Sequence, residues 1–153
     1  MLSEAKDIAI ILAGIIALTT FFTGVMEYAR QGAQHRAQNF VQMRRRFMEN
    51  DVFRGICSLL VTGDDRLREV PTQDRRNFAG FIEEVALMVN ARLIRKETAH
   101  YMFGYYALLC WNSDSFWEGL DRDSIYWSLL RDFAGQLKQL ESEFTFDRTK
   151  LRF

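Results

Sequence analysis

The longest uninterrupted apolar stretch in the chain is residues 8–26, IAIILAGIIALTTFFTGVM, 19 consecutive positions with neither a charge nor a proline. At about 1.5 Å of rise per residue such a helix is ~28 Å long, close to the ~30 Å hydrocarbon core of a bilayer. The run is apolar all round, whereas a helix on the surface of a soluble domain carries only an apolar stripe. A membrane span is the expectation. A cleaved secretory signal fits poorly, because it wants a basic start and an apolar stretch of ~7–15 residues. Here Glu4, Lys6 and Asp7 precede a longer run, and Glu27-Tyr28-Ala29-Arg30 is a poor cleavage site.

Past the span the pattern becomes helical in period. Ala29, Ala33, Ala37, Phe40, Val41, Arg44, Phe47 and Met48 fall mostly on one face, so residues 27–50 read as a juxtamembrane amphipathic helix in which Gly32 can mark a bend. Asp51 opens the next helix, with Val52, Phe53, Ile56, Leu59 and Leu60 as its stripe and Gly63 as its stop. Residues 64–71 form a charged connector that holds the single proline. Thr72 opens a third helix facing inward through Phe78, Phe81, Ile82, Val85, Met88 and Val89.

A fourth helix runs over 96–111, with Ala99, Met102, Phe103, Tyr106, Leu109 and Cys110 inward. Residues 112–120 read as a loop anchored by Phe116 and Trp117. Asp121 or Asp123 then caps a fifth helix carrying Ile125, Leu129, Leu130, Phe133, Leu137 and Leu140. No period-two strand pattern occurs. The predicted fold is all-α: a short tail (1–7), a single transmembrane helix (8–26), the amphipathic helix (27–50), a cytoplasmic helical domain built as a bundle of about four helices (51–143), and a C-terminal tail (144–153). With aromatics at 144, 146 and 153, that tail either frays or docks on the domain.

Charge sets the expected orientation. Only Lys6 precedes the span, opposed by Glu4 and Asp7, whereas Arg30, Arg36, Arg44, Arg45 and Arg46 follow it closely. Basic residues stay on the cytoplasmic side. The chain is thus expected in the inner (cytoplasmic) membrane as a single-pass protein, with its N-terminus outside and its domain in the cytoplasm. Setting Lys6, Glu4 and Asp7 aside leaves 19 basic and 18 acidic residues. With 9 acidic against 3 basic residues over 97–147, no concentrated basic face exists to bind nucleic acid. Cys57 and Cys110 sit in apolar helical patterns and read as buried free thiols.

Within the span, Ala9, Ala13, Ala17, Thr20 and Gly24 are spaced by four, four, three and four, forming a small-residue stripe. Small residues let transmembrane backbones approach closely, so this stripe is the candidate packing face for transmembrane helices of a larger membrane complex, or for a second copy of the chain. Arg30 and Arg36 are the membrane-proximal basic residues. The Arg44-Arg45-Arg46 triplet begins 18 positions beyond the span, or ~27 Å along an unbroken helix, several Debye lengths (~8 Å each) from the lipid. It is therefore expected to meet a protein partner or to form ion pairs, for instance with Asp114, Glu118, Asp121 and Asp123.

Catalytic patterns are sparse. Glu97-x-x-His100 is half of a di-iron carboxylate pair, and the other histidine, His35, has glycine three residues before it. Asp121-Arg122-Asp123-Ser124 lacks the central glycine and closing glutamate of a calcium loop. Glu83 and Glu84 point some 100° apart on a helix; one is expected to face inward against an arginine such as Arg92 or Arg95. No phosphate loop, serine elbow or dinucleotide motif is present. No cofactor, metal or small-molecule substrate is expected.

The residues Asn77-Phe78, Phe81-Ile82-Glu83-Glu84-Val85-Ala86, Met102-Phe103-Gly104, Cys110-Trp111 and 125–131 resemble an uncharacterised bacterial family of small proteins, a domain of unknown function. Its members carry one N-terminal span and a cytoplasmic helical domain. The resemblance covers residues 44–137 and implies that architecture, with no activity or ligand to carry over. The expected function is non-enzymatic: an accessory or scaffolding subunit of a larger membrane complex. The alternatives are a self-associating single-pass effector or sensor, and an enzyme or cofactor-carrying protein with an unrecognised site.

Overall fold

A computed structural model describes residues 2–143, without the side chains of residues 2–9, 11 and 33. The expected docking or fraying of 144–153, and the Ala9 and Ala33 side chains, lie outside the described residues. Every described element is helical: α1 (Leu2–Glu49), α2 (Asp51–Thr62), a 3-10 turn (Asp65–Glu69), α3 (Thr72–Asn90), α4 (Lys96–Ala99), a π turn (His100–Gly104), α5 (Tyr105–Asn112), α6 (Asp114–Trp117), a second 3-10 turn (Ile125–Trp127) and α7 (Ser128–Glu143). The chain divides into two units, residues 1–38 and 39–153.

The first unit is the greater part of α1. From residue 10 to 26 every described side chain is exposed, the large apolar ones between 51% (Val25) and 72% (Met26). Thr19, Thr20 and Thr23 each turn their hydroxyl back onto a carbonyl one turn earlier, at 2.8, 2.9 and 3.0 Å. Helical structure continues through Gly32. A Cβ on Gly32 would stand 3.3 Å from Arg36 Nη1, so this glycine makes room for the Arg36 guanidinium folded back along the helix.

The second unit has one apolar core. The last turns of α1 contribute Phe40, Met43 and Phe47, at the i, i+3, i+7 spacing of a buried helical stripe. Phe47 is the hub. Its ring stacks on Phe81 at 5.0 Å and meets Phe53, Phe78, Phe103 and Tyr106 within 6.0 Å. Such offset and edge-to-face pairs add ~0.5–1.5 kcal/mol each beyond burial. A second aromatic cluster joins Trp117 to Trp111, Phe116 and Trp127, and the Trp117 indole N–H donates to the Cys110 carbonyl at 2.9 Å.

Local chemistry sets the element ends. Asn50, ahead of Asp51, caps α2 by accepting from the Phe53 amide at 3.0 Å. Gly63 ends that helix at φ +61°, the left-handed conformation that glycine adopts without a Cβ clash. The expected connector 64–71 contains a 3-10 turn whose one apolar residue, Leu67, is fully buried. The largest departure is at 121–127. Asp121 accepts from the Asp123 amide at 3.1 Å and Ser124 from the Tyr126 amide at 3.5 Å. A 3-10 turn follows and α7 starts only at Ser128. The tighter turn re-phases the chain, so Ile125, expected inward, is 78% exposed.

Candidate functional site

On α1, Ala13, Ala17, Thr20 and Gly24 are all exposed. A Cβ added to Gly24 would meet nothing within 4 Å, so the helix surface there is open to close approach. The Thr20 hydroxyl proton is committed to the Ile16 carbonyl. It therefore presents a methyl group and a satisfied oxygen instead of an unmade hydrogen bond. Large residues, among them Ile15, Leu18 and Phe22, occupy the other faces and are as exposed as the small ones.

The two basic residues after this apolar stretch are held differently. Arg30 makes a two-point contact with Glu27, Nε to Oε2 at 2.9 Å and Nη2 to Oε1 at 3.0 Å. Arg30, and then the Gln31 amide at 3.1 Å, hold the Glu27 carboxyl below the usual range. Arg36 lies back over Gly32.

The arginine triplet points in three directions, as consecutive helical residues must. Arg46 pairs with Glu84 and sits 5.2 Å from the centre of the Phe81 ring. Arg45 lies 3.9 Å from Glu49. Arg44 and Arg45 border a groove of about 510 Å³ with Phe40, Val41, Met48 and Met102. The expected pairing with the acidic stretch is not what forms: Asp114 is held by Arg122 at 3.2 Å and Glu118 faces Arg68 at 3.9 Å. Both of those partners are nearer in sequence to the acidic stretch than the triplet is, and Arg45 and Arg46 face Glu49 and Glu84 instead.

Glu83 and Glu84 diverge as the helical period demands, but Glu83 does not meet Arg92 or Arg95. Its Oε1 is buried with no hydrogen-bond partner. Burial pushes its carboxyl above the ordinary range, and the Leu130 amide near the start of α7 pulls the other way.

Two features escaped the sequence. Arg75 is 3% exposed. It donates to three carbonyls, of Val70 at 3.0 Å, Phe116 at 2.6 Å and Glu118 at 2.7 Å. Burial lowers its pKa, and Glu118 opposes that. One guanidinium thereby ties the 3-10 turn, α3 and α6 together. The other feature is the π turn His100–Gly104 within the expected fourth helix. A Cβ on Gly104 would stand 2.9 Å from His100 Cδ2, so the imidazole packs over the bare glycine. His100 Nε2 is 3.6 Å from Glu141 Oε1, within ion-pair range when the ring is protonated. The only sequence sign of this was a glycine four positions after a histidine.

A second groove, about 330 Å³, is lined by residues that include Phe47, Cys57, Val61 and Tyr106. Burial pushes the Cys57 thiol up to about 12. Full burial raises Cys110 as well, with Cys57 adding to it. A thiol, not a thiolate, stands at both positions near neutral pH, so neither has the ionised sulfur a nucleophile needs. Among the described residues no three His, Cys, Asp or Glu side chains converge to hold a metal ion. No family model, no curated protein and no solved structure matches the chain.

Proposed function

We propose that the chain is a single-pass membrane protein, anchored by residues 8–26 with residues 27–153 in the cytoplasm, that acts without catalysis as an accessory or scaffolding subunit of a larger membrane complex. The observation that carries the reading is the apolar surface of Ile10 and residues 12–26, where every described side chain is exposed. In water an exposed apolar surface of that extent is a liability, whereas in hydrocarbon it is the matched solvent. The three back-bonded threonines support the same reading, since a hydroxyl left without a partner in lipid is costly. The small-residue stripe Ala13, Ala17, Thr20 and Gly24 is the proposed seat of a partner helix.

Purification of the tagged chain at native level in a gentle detergent, with mass spectrometry, tests this. The expected result is a stoichiometric set of membrane proteins that is lost when Ala13→Leu and Ala17→Leu are combined, while the variant still enters the membrane. The chain alone at small-oligomer size would replace the accessory role with self-association. A partner set unchanged in the double variant would remove the stripe from the account.

A further inference from the structure

Helix α3 closes on a left-handed cap. The Leu93 amide donates to the Met88 carbonyl at 2.9 Å and the Arg92 amide to the Val89 carbonyl at 3.0 Å, with Arg92 itself at φ +55°. Glycine ordinarily holds that position, because a Cβ is crowded in the left-handed conformation. Gly63 does so at the end of α2. Among the described residues Arg92 is the one non-glycine at positive φ. What arginine adds there over glycine is its guanidinium.

That side chain lines a groove of about 510 Å³ together with Val89, Ile94, Arg95, Lys96 and Glu97. The volume falls within the roughly 300–1,000 Å³ of small-molecule sites. Val89 and Ile94 are its apolar lining, and Arg92, Arg95 and Lys96 are exposed. Elsewhere in the domain Arg46, Arg54, Arg68 and Arg122 each face a carboxylate. Among the described residues, Arg92, Arg95 and Lys96 have none at ion-pair distance. Three cationic groups against the one carboxylate of Glu97 leave two positive charges over.

A phosphate monoester carries a charge of about −1.5 to −2 at pH 7, which matches that excess. A single carboxylate would neutralise only half of it. Two guanidinium forks suit phosphate oxygens bidentately, and the lysine adds a point charge. We propose that this groove binds a phosphate monoester with an apolar substituent, its phosphate at Arg92, Arg95 and Lys96 and its substituent against Val89 and Ile94. Every residue involved belongs to the second unit, so the site stands whether or not the first unit is an anchor.

Heating the full chain in dodecyl maltoside, followed by tryptophan fluorescence, tests it. The probes are phenyl phosphate, dihexanoyl phosphatidic acid and, as the uncharged control, phenol. The expected result is a thermal midpoint that rises with either phosphate probe and not with phenol. Arg92→Gly keeps the cap, since glycine adopts φ +55° freely, and should weaken the affinity read from the midpoint about tenfold or more. Arg95→Gln should weaken it likewise. Arg131→Gln removes an exposed arginine of α7 outside the groove and should leave the affinity unchanged. A response to phenyl phosphate supports the site with a soluble ester as sufficient ligand, and a response to the lipid alone supports it with a headgroup as the source. No rise with either phosphate probe, an equal rise in Arg92→Gly and the parent, or an equal loss in Arg131→Gln overturns the proposal.

Discussion

Glu83 is the residue whose chemistry is most out of place in this protein. Its carboxylate faces the core side of α3 with one oxygen unpartnered, and burial favours the protonated form. The folded pKa is therefore above the unfolded one. The folded state takes up the proton first as pH falls, so stability is lost as pH rises from the unfolded to the folded value, and that loss is complete above both. Glu83→Gln removes the charge while keeping an acceptor for the Leu130 amide. Denaturation at pH 7 should show this variant more stable than the parent by up to about 1 kcal/mol, with the difference shrinking toward pH 4. A variant less stable at pH 7 would mean that the charge is held favourably by the start of α7. Arg75 is the opposite case: its guanidinium is buried too, but three carbonyls accept from it, so its burial is compensated.

At the scale of elements, the π turn is the feature that makes a clean prediction. Replacing glycine with alanine inside a helix ordinarily stabilises by roughly 0.5–1 kcal/mol. At Gly104 the added methyl would meet the His100 ring at 2.9 Å, and overpacking of that kind costs about 1–3 kcal/mol. Gly104→Ala should therefore lower the thermal midpoint, where a regular helix would give a rise. The helices themselves were legible because their apolar stripes repeat at 3.6 residues, which gives the core faces of α3 and α7, while the α2 stop at Gly63 follows from glycine's access to the left-handed conformation. What escaped depends on contacts between elements or on a change of period. The 3-10 turn at Ile125–Trp127 shifts phase within three residues, too short a distance for periodicity to register. The burial of Arg75 depends on carbonyls 41 and 43 residues away, and nothing in its neighbours signals them. Leu67 was detectable in principle, as a lone apolar residue among charges. The groove that borders Arg44 and Arg45 is assembled from α1 and the π turn, and no single stretch of sequence contains it.

At the scale of the molecule, two kinds of apolar surface divide the chain. Residues 39–143 bury theirs around Phe47 and the Trp117 cluster in the manner of a soluble domain. Within residues 10–26 every described side chain is exposed, with every threonine hydroxyl in that stretch closed onto its own helix. No rearrangement of side chains within the first unit hides a surface that is apolar on all faces, so a lipid environment is the simplest account of it. The most direct test is alkaline carbonate extraction of membranes from cells making the full chain, set beside the chain lacking residues 8–26. The account predicts that the full chain stays in the membrane pellet and that the shortened chain is released to the supernatant. Release of the full chain by carbonate would contradict the anchor, and with it the proposed role in a membrane complex.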